Sequence, residues 1–575
     1  MRVGQGSLPE LGAIMPRKLL LAVAIGVLLR LAFINSPMTD AFGSMRQTYT
    51  AGYTRCMIEE GVSLPRMFRC RSIVNSHQAL EVPIFNLLTV LLAKVTGESD
   101  VIFRLTSLII WLAGVLYLAY LLRRTYRSGE SLYIVWVYAL LPLSIFIGHY
   151  YHPEVLSIFL SLGVVFHYKF YLEKGKWFDL AISVAALTLA LIVRVSHFHL
   201  YLVLILLALS KVGWRVFLRW DTYLYLIPLI PAAYWSTAAS DLASETRLMQ
   251  YIGPFPMRFT PQFWGMMLFN RFGGLTLSPV GLPLLILAIA ASKNRPNRAL
   301  EFAWLYSGFA FLVIVASGNF HHPHYQAPLL IPCAIFIGRF LHQLATGNLK
   351  GAWQRWWLVI PREVIAVSLS LYLFFDGIVI YLFFTQPWDT EALKALLGNL
   401  NITKLFTIFA LSQAALIPFV LALWRRESPR RLNPHPTVAA VLIILILITG
   451  LFVLHPMYRV DTDYLEAGKS IQKHLSPDAK VMFAGKKDDA DPFIYYAHMR
   501  GWAFNPSRLL KDGWSAIEEP VSEGAQYLAI MNSNRYIQPE YEKSDVVMGY
   551  LSNFDVSYRD AFITIYDLKV HPWAK

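Results

Sequence analysis

The residues of this chain with chemical potential gather in a few short stretches. Asp40 stands a few residues beyond the first apolar span, with Arg46 and Gln47 close behind it. A carboxylate at the membrane–water boundary is either a solvated loop acid or a general base. The neighbouring guanidinium and amide suit a site that handles an anionic group and a hydroxyl together. The same loop, residues 35–100, carries five arginines between Arg46 and Arg71, Arg55 among them, and Glu81 just before Pro83. In His149-Tyr-Tyr-His152-Pro153-Glu154, the proline is suited to open a helix and Glu154 to occupy its first turn. Such an acid either serves the helix dipole or faces an internal cavity.

A third stretch reads His321-His322-Pro323-His324-Tyr325. Its close spacing and the intervening proline suit a helical metal-ligand pair poorly, which favours contacts to phosphate or sugar hydroxyls. Arg194, followed by His197 and His199, and Arg271 in a later loop complete the set. Buried, these cations would line an anion cavity; exposed, they would snorkel to lipid headgroups. Asp40, His152 and Glu154 together supply part of a divalent-metal site, so Mg or Mn stays open as a cofactor while none is required.

Composition says where these residues must be held. The chain is 56% hydrophobic and only 15% charged, with a mean hydropathy of +0.46, which is the balance of a polytopic membrane protein. The net charge of +14 does not point to nucleic acid, because the basic residues fall in short clusters between apolar spans, as cytoplasmic loops do. Spans are expected near 19–34, 101–122, 131–148, 153–172, 178–195, 198–210, 222–238, 277–292, 300–317, 325–344, 364–384, 404–424 and 437–455. That makes about thirteen, and every loop expected inside is basic. Arg17 and Lys18 lead into a first span with no small-residue cleavage site behind it, so this helix is expected to stay. The N-terminus is then cytoplasmic, and all the stretches above share the outer face. Residues 83–95 are apolar but too short to cross, and are expected as a helix lying at the membrane surface.

Beyond Arg459 the composition turns soluble, and Val481–Ala484, Tyr527–Met531 and Phe562–Tyr566 read as strands. The expected domains are a membrane domain over 1–457, with 35–100 as its catalytic outer loop, and a small extracytoplasmic α/β domain over 458–575. Cys56 and Cys70 lie in the outer loop, either as a disulfide or as two free thiols. Cys333 falls inside a span as a small apolar filler.

Several tracts resemble membrane-embedded glycosyltransferases of the C-type fold, in the branch related to protein O-mannosyltransferases and the lipid A aminoarabinose transferase. They are Asp40-Ala-Phe-Gly-Ser-Met-Arg46-Gln47, Glu81-Val-Pro83-Ile-Phe, Lys94-Val-Thr-Gly97, Arg104-Leu, His152-Pro153-Glu154, His321-His322-Pro323-His324-Tyr325-Gln326 and Tyr495–Trp502. Ala41 stands where the family has a second acid, and Met45 where it usually has tryptophan or a similar residue before Arg-Gln. The resemblance implies hexosyl or pentosyl transfer from a polyprenyl-phosphate sugar to a hydroxyl on a lipid, glycan or protein, by inversion, at the outer face of the inner membrane. It implies Asp40 as base, with Arg55, Arg194 or Arg271 at the leaving phosphate. Arg46 and Gln47 would orient Asp40 or the sugar; Glu81 and Glu154 would position sugar hydroxyls. A flippase for a lipid-linked sugar is the rival class, although no repeated halves are visible. A polymerase or ligase drawing on a lipid-pyrophosphate oligosaccharide is a second rival.

Overall fold

The computed structural model describes residues 17–40, 44–62, 81–238, 250–292, 296–347, 436–486 and 490–569. The spans expected near 364–384 and 404–424 lie outside these residues, as does Cys70.

Helix α1 (Arg17–Leu31) is followed by α2 (Ser44–Glu60), α3 (Ile84–Thr96) and α4 (Asp100–Thr125). The hydroxyl of Ser99 caps α4 by accepting from the Ile102 amide at 3.3 Å. Arg123 and Arg124 close its last turn, where cations complement the helix dipole. In α3, Phe85, Asn86, Thr89, Val90 and Ala93 face inward, while Leu91 and Val95 are 64% and 85% exposed. A short helix with one buried face and one exposed apolar face is what a membrane-surface element requires.

Helices α5 (Ser128–Leu140) and α6 (Pro142–His149) form an apolar pair bent by 63°, long enough together to cross a membrane. Pro142 supplies no amide proton and cannot continue the helix. Next come α7 (Glu154–Lys174), α8 (Trp177–Val193) and α9 (Leu200–Val212). The span expected near 222–238 is instead a 3-10 stretch over Trp220–Leu226 and a short helix over Leu229–Ala238. Pro228 and Pro231 account for the interruption. Later helices include Arg298–Ile314, α10 (Leu330–Thr346) and α11 (Pro436–Leu454). Among the described residues five helices are long and apolar enough to cross a membrane, and two bent pairs meet the same test.

The C-terminal portion is built from α12 (Asp463–His474), β1 (Val481–Ala484), α13 (Asp491–Ala497), β2 (Gly501–Ala503), β3 (Tyr527–Met531), β4 (Asp555–Arg559) and β5 (Ile563–Asp567), with further short helices. The strand order is β2-β1-β3-β5-β4. β1 runs parallel to β2 and β3, and β5 is antiparallel to β3 and β4. Alternate residues along β1 and β3 serve two apolar layers, as the two-residue period of a strand requires. Phe483, Ala529 and Met531 join the layer continuous with the helical bundle. Met482, Leu528 and Ile530 join a separate layer with Trp502, Leu509 and Ile517. α13 lies between sheet and bundle, packed on both α2 and α12, with all seven of its residues buried.

Small residues let the bundle helices approach closely. A Cβ added to Gly338 of α10 would stand 2.5 Å from the Ile134 Cα of α5, so a methyl there must push backbone apart. Gly338→Ala is therefore expected to lower stability by about 1–3 kcal/mol, read as a lower thermal unfolding midpoint in detergent.

Candidate active site

Asp40 ends a short extended segment whose backbone bridges to Val460, and its side chain is buried. Two donors fix its Oδ2 atom: Gln47 Nε2 at 2.9 Å and Arg104 Nη2 at 3.0 Å. Among the described residues Oδ1 makes no protein hydrogen bond. Burial pushes the Asp40 carboxyl above the usual carboxylate range, and Arg104 and Gln47 pull it back only in part.

Arg104, one turn into α4, also donates to the carbonyls of Phe33 (3.2 Å), Ser36 (2.6 Å) and Pro37 (3.1 Å). It thus closes the chain reversal after α1 and holds the acid at the end of it. Sequence reasoning did not count Arg104 among the site residues. The signal was present, since an arginine inside a long apolar helix needs a buried partner.

Gln47 carries the network onward: its Oε1 accepts from the Tyr151 amide at 3.0 Å, tying Asp40 to the loop ahead of α7. Next to it on α2, Arg46 pairs with Glu81 and donates through Nε to His152 Nε2 at 3.1 Å. Among the described residues Arg46 Nη1 has no partner. Burial, with His324, Arg46 and Arg194 nearby, holds His152 well below the ordinary imidazole range, so it is neutral. Its ring lies 4.5 Å from that of His324, which is 5.7 Å from that of His322. Glu154 accepts from Arg194 Nε at 3.0 Å and lies 3.8 Å from His197. The Arg194 guanidinium sits 5.7 Å over the Tyr325 ring, and Tyr251 stacks on the same tyrosine at 6.0 Å. Tyr251 was not anticipated from the sequence, where it stands in a loop with no distinguishing spacing.

Arg46, Gln47, Glu81, His152, Glu154, Arg194, His322, His324 and Tyr325 therefore form one polar cluster beside Asp40, drawn from five separate parts of the chain. A cleft of about 260 Å³ opens against it, lined by Arg46, Tyr49, Thr50, Tyr53, Glu81, Pro83 and Asn86. Three predicted residues stand elsewhere. Arg271 Nη2 donates to the Phe320 and His321 carbonyls at 3.0 and 3.4 Å, anchoring the histidine stretch from behind. His321 turns outward with its ring against Phe320. Arg55 donates to Glu98 and to the Tyr495 carbonyl, both at 2.6 Å, at the seam with the C-terminal sheet domain.

Asp40, His152 and Glu154 do not assemble as metal ligands. Among the described residues no three His, Cys, Asp or Glu side chains converge on a metal position. The reason is local: Asp40 faces Arg104, His152 faces Arg46, and Glu154 faces Arg194. Cys56 is disulfide-bonded, whereas Cys333 is free and buried.

The model of the family described as dolichyl-phosphate-mannose-protein mannosyltransferase matches residues 80–235. The crystal structure of ArnT from Cupriavidus metallidurans bound to undecaprenyl phosphate is similar to this chain with a TM-score of 0.58 at 14% identity, covering 96% of this chain and 98% of that one. The apo form of the same protein gives 0.58 at 15%, covering 95% and 97%. Among curated proteins compared by sequence, none matches.

The buried Arg104–Asp40 pair generates a stability prediction. Arg104→Leu leaves an uncompensated buried carboxylate and is expected to cost about 3–5 kcal/mol. Adding Asp40→Asn should recover part of that loss, as measured by thermal unfolding of the two single variants and the double variant.

Proposed function

We propose that this chain, which has the fold of the C-type membrane glycosyltransferases, moves a sugar from a polyprenyl-phosphate donor to a hydroxyl of a lipid, glycan or protein, inverting the anomeric centre. The observation that carries the reading is the state of Asp40: buried, fixed through Oδ2 by two donors, raised in pKa, and open at Oδ1. A fixed carboxylate with one free oxygen is the arrangement a general base needs.

In the proposed step, Asp40 Oδ1 takes the acceptor's hydroxyl proton as the acceptor oxygen bonds to the anomeric carbon. The bond from that carbon to the phosphate oxygen breaks, and the lipid phosphate leaves with the electron pair. Arg46, with Nη1 open and its side chain on the cleft wall, and Arg194 are the cations suited to the charge that develops on the phosphate. Fixed donors in a site screened from water stabilise such charge far more than they would in bulk solvent. Neutral His152 orients Arg46; Glu81, Glu154, His322, His324 and Tyr325 are assigned to sugar hydroxyls. The exposed Leu91 and Val95 of α3 offer an apolar path for the prenyl tail. The undecaprenyl phosphate held by the similarly folded ArnT supports a polyprenyl phosphate as carrier. The reading places residues 1–457 in the inner membrane as the transferase domain, with loop 35–100 and the domain over 458–575 on the extracytoplasmic side.

Transfer of radiolabelled sugar from polyprenyl-phosphate donors to membrane acceptors tests this directly. Asp40→Asn should fold normally and lose about 10²–10⁴ of turnover. Wild-type turnover in that variant would rule Asp40 out as base, and donor that crosses the bilayer chemically intact would indicate the flippase. The pH profile adds a second check. A base works deprotonated, so kcat/KM should fall as pH drops through the raised Asp40 pKa, with its midpoint above the usual carboxylate range. A profile flat down to ordinary carboxylate values would contradict the assignment.

A further inference from the structure

The sheet domain touches each of the three elements that hold Asp40. The Tyr495 and Tyr496 hydroxyls of α13 both donate to Asp100, at 2.6 and 2.7 Å. Asp100 is the first residue of α4, one turn before Arg104. The Tyr496 oxygen also accepts from the Met38 amide at 2.6 Å, two residues before Asp40, so one phenol joins the Asp40 segment to α4. The linker into the domain pairs with the same segment, where the Asp461 amide donates to the Thr39 carbonyl at 3.1 Å. On α2, which carries Gln47, Arg55 donates to the Tyr495 carbonyl and lies 4.1 Å over that ring. Near its end, Glu60 pairs with Arg500.

We infer that Tyr495, Tyr496 and Asp100 are positioning residues for Asp40, and that the sheet domain acts on the reaction through them. The inference rests on the reading of Asp40 as base. A rigid α4 start fixes where the Arg104 guanidinium stands, and Arg104 and Gln47 fix Oδ2. Each tyrosine hydroxyl bound to a carboxylate is a charge-assisted hydrogen bond, about twice as strong as a neutral one. Losing the Tyr496 hydroxyl would free the Met38 amide and remove one of the two donors to Asp100; losing that of Tyr495 would remove the other donor alone. The groups that bear on the two carboxylates are Arg104, Arg55, Tyr458, Tyr495, Tyr496 and His498. Burial is the main reason that Asp40 is raised, and the Asp100 charge adds to it. The two changes should therefore move Asp40 in opposite directions. Asp100→Asn removes a like charge and lowers its pKa. Tyr496→Phe leaves Asp100 less neutralised and raises it.

The test is the transfer assay over a pH series on full-length wild type, Tyr496→Phe, Tyr495→Phe, Asp100→Asn and Asp40→Asn, each checked for a monodisperse elution profile. Tyr496→Phe is expected to lower kcat at least about tenfold, since small misplacements of reacting groups carry large rate penalties, with little change in donor KM. Its acid limb should move to higher pH, and that of Asp100→Asn to lower pH. If Tyr496→Phe does not fold, Tyr495→Phe and Asp100→Asn carry the same comparison. Asp40-dependent transfer with unshifted limbs in the tyrosine and Asp100 variants would overturn this inference and leave the base intact. Transfer that persists in Asp40→Asn would overturn the base assignment and this inference with it.

Discussion

A guanidinium out of reach of water decides much of this structure. Arg104 would be costly inside an apolar helix without partners, and it meets that demand with three backbone carbonyls and one carboxylate. The carbonyls belong to the turn after α1, so the cation folds the chain back at the point where Asp40 must be presented. The acid is fixed because the arginine needs it as much as the acid needs the arginine. Gln47 completes the arrangement by linking the carboxylate to the Tyr151 amide, so that α2 and the loop before α7 share one register.

The remaining charges follow the same rule of local neutralisation. Arg46 with Glu81 and Arg194 with Glu154 are matched pairs, while His152 stays neutral between them. A site assembled this way holds fixed dipoles and cations without a large net charge. Any anion entering such a site would meet organised cations that do not have to be drawn in from solvent.

Much of this could be read in the sequence, for identifiable reasons. The long helices over 100–125, 154–174 and 436–454 follow from uninterrupted apolar runs, and the strands over 481–484 and 527–531 from short buried runs between polar segments. The expectation that Asp40, Arg46, Gln47, His152 and Glu154 share one face has its counterpart in the single cluster they form. Hydropathy missed the interruption at Pro228 and Pro231, because averaging over a window hides two prolines among leucines. It could not separate Arg55 from Arg46 either: both are arginines of α2, and only the helix face decides that one meets Glu98 and the other Glu81. The metal triad was drawn from residue types alone, and each ligand proved to have a cation or donor of its own. The two neighbours of β1 on the sheet could not both be read: β3 is a five-residue apolar run, whereas β2 is three residues long and held by its pairing.

The helix α13 has consequences for how such a protein can change. Every one of its residues is buried, with the sheet and α12 on one side and α2 on the other. A helix with no water-facing stripe cannot stand at a domain surface. The portion beyond residue 458 is therefore not a detachable module, despite its soluble composition. Exchanging it for the equivalent portion of another protein would require the matching faces of α2 and α4 to move with it. Diversification is then confined to the far side of the sheet and its connecting loops, which can vary without disturbing that buried seam.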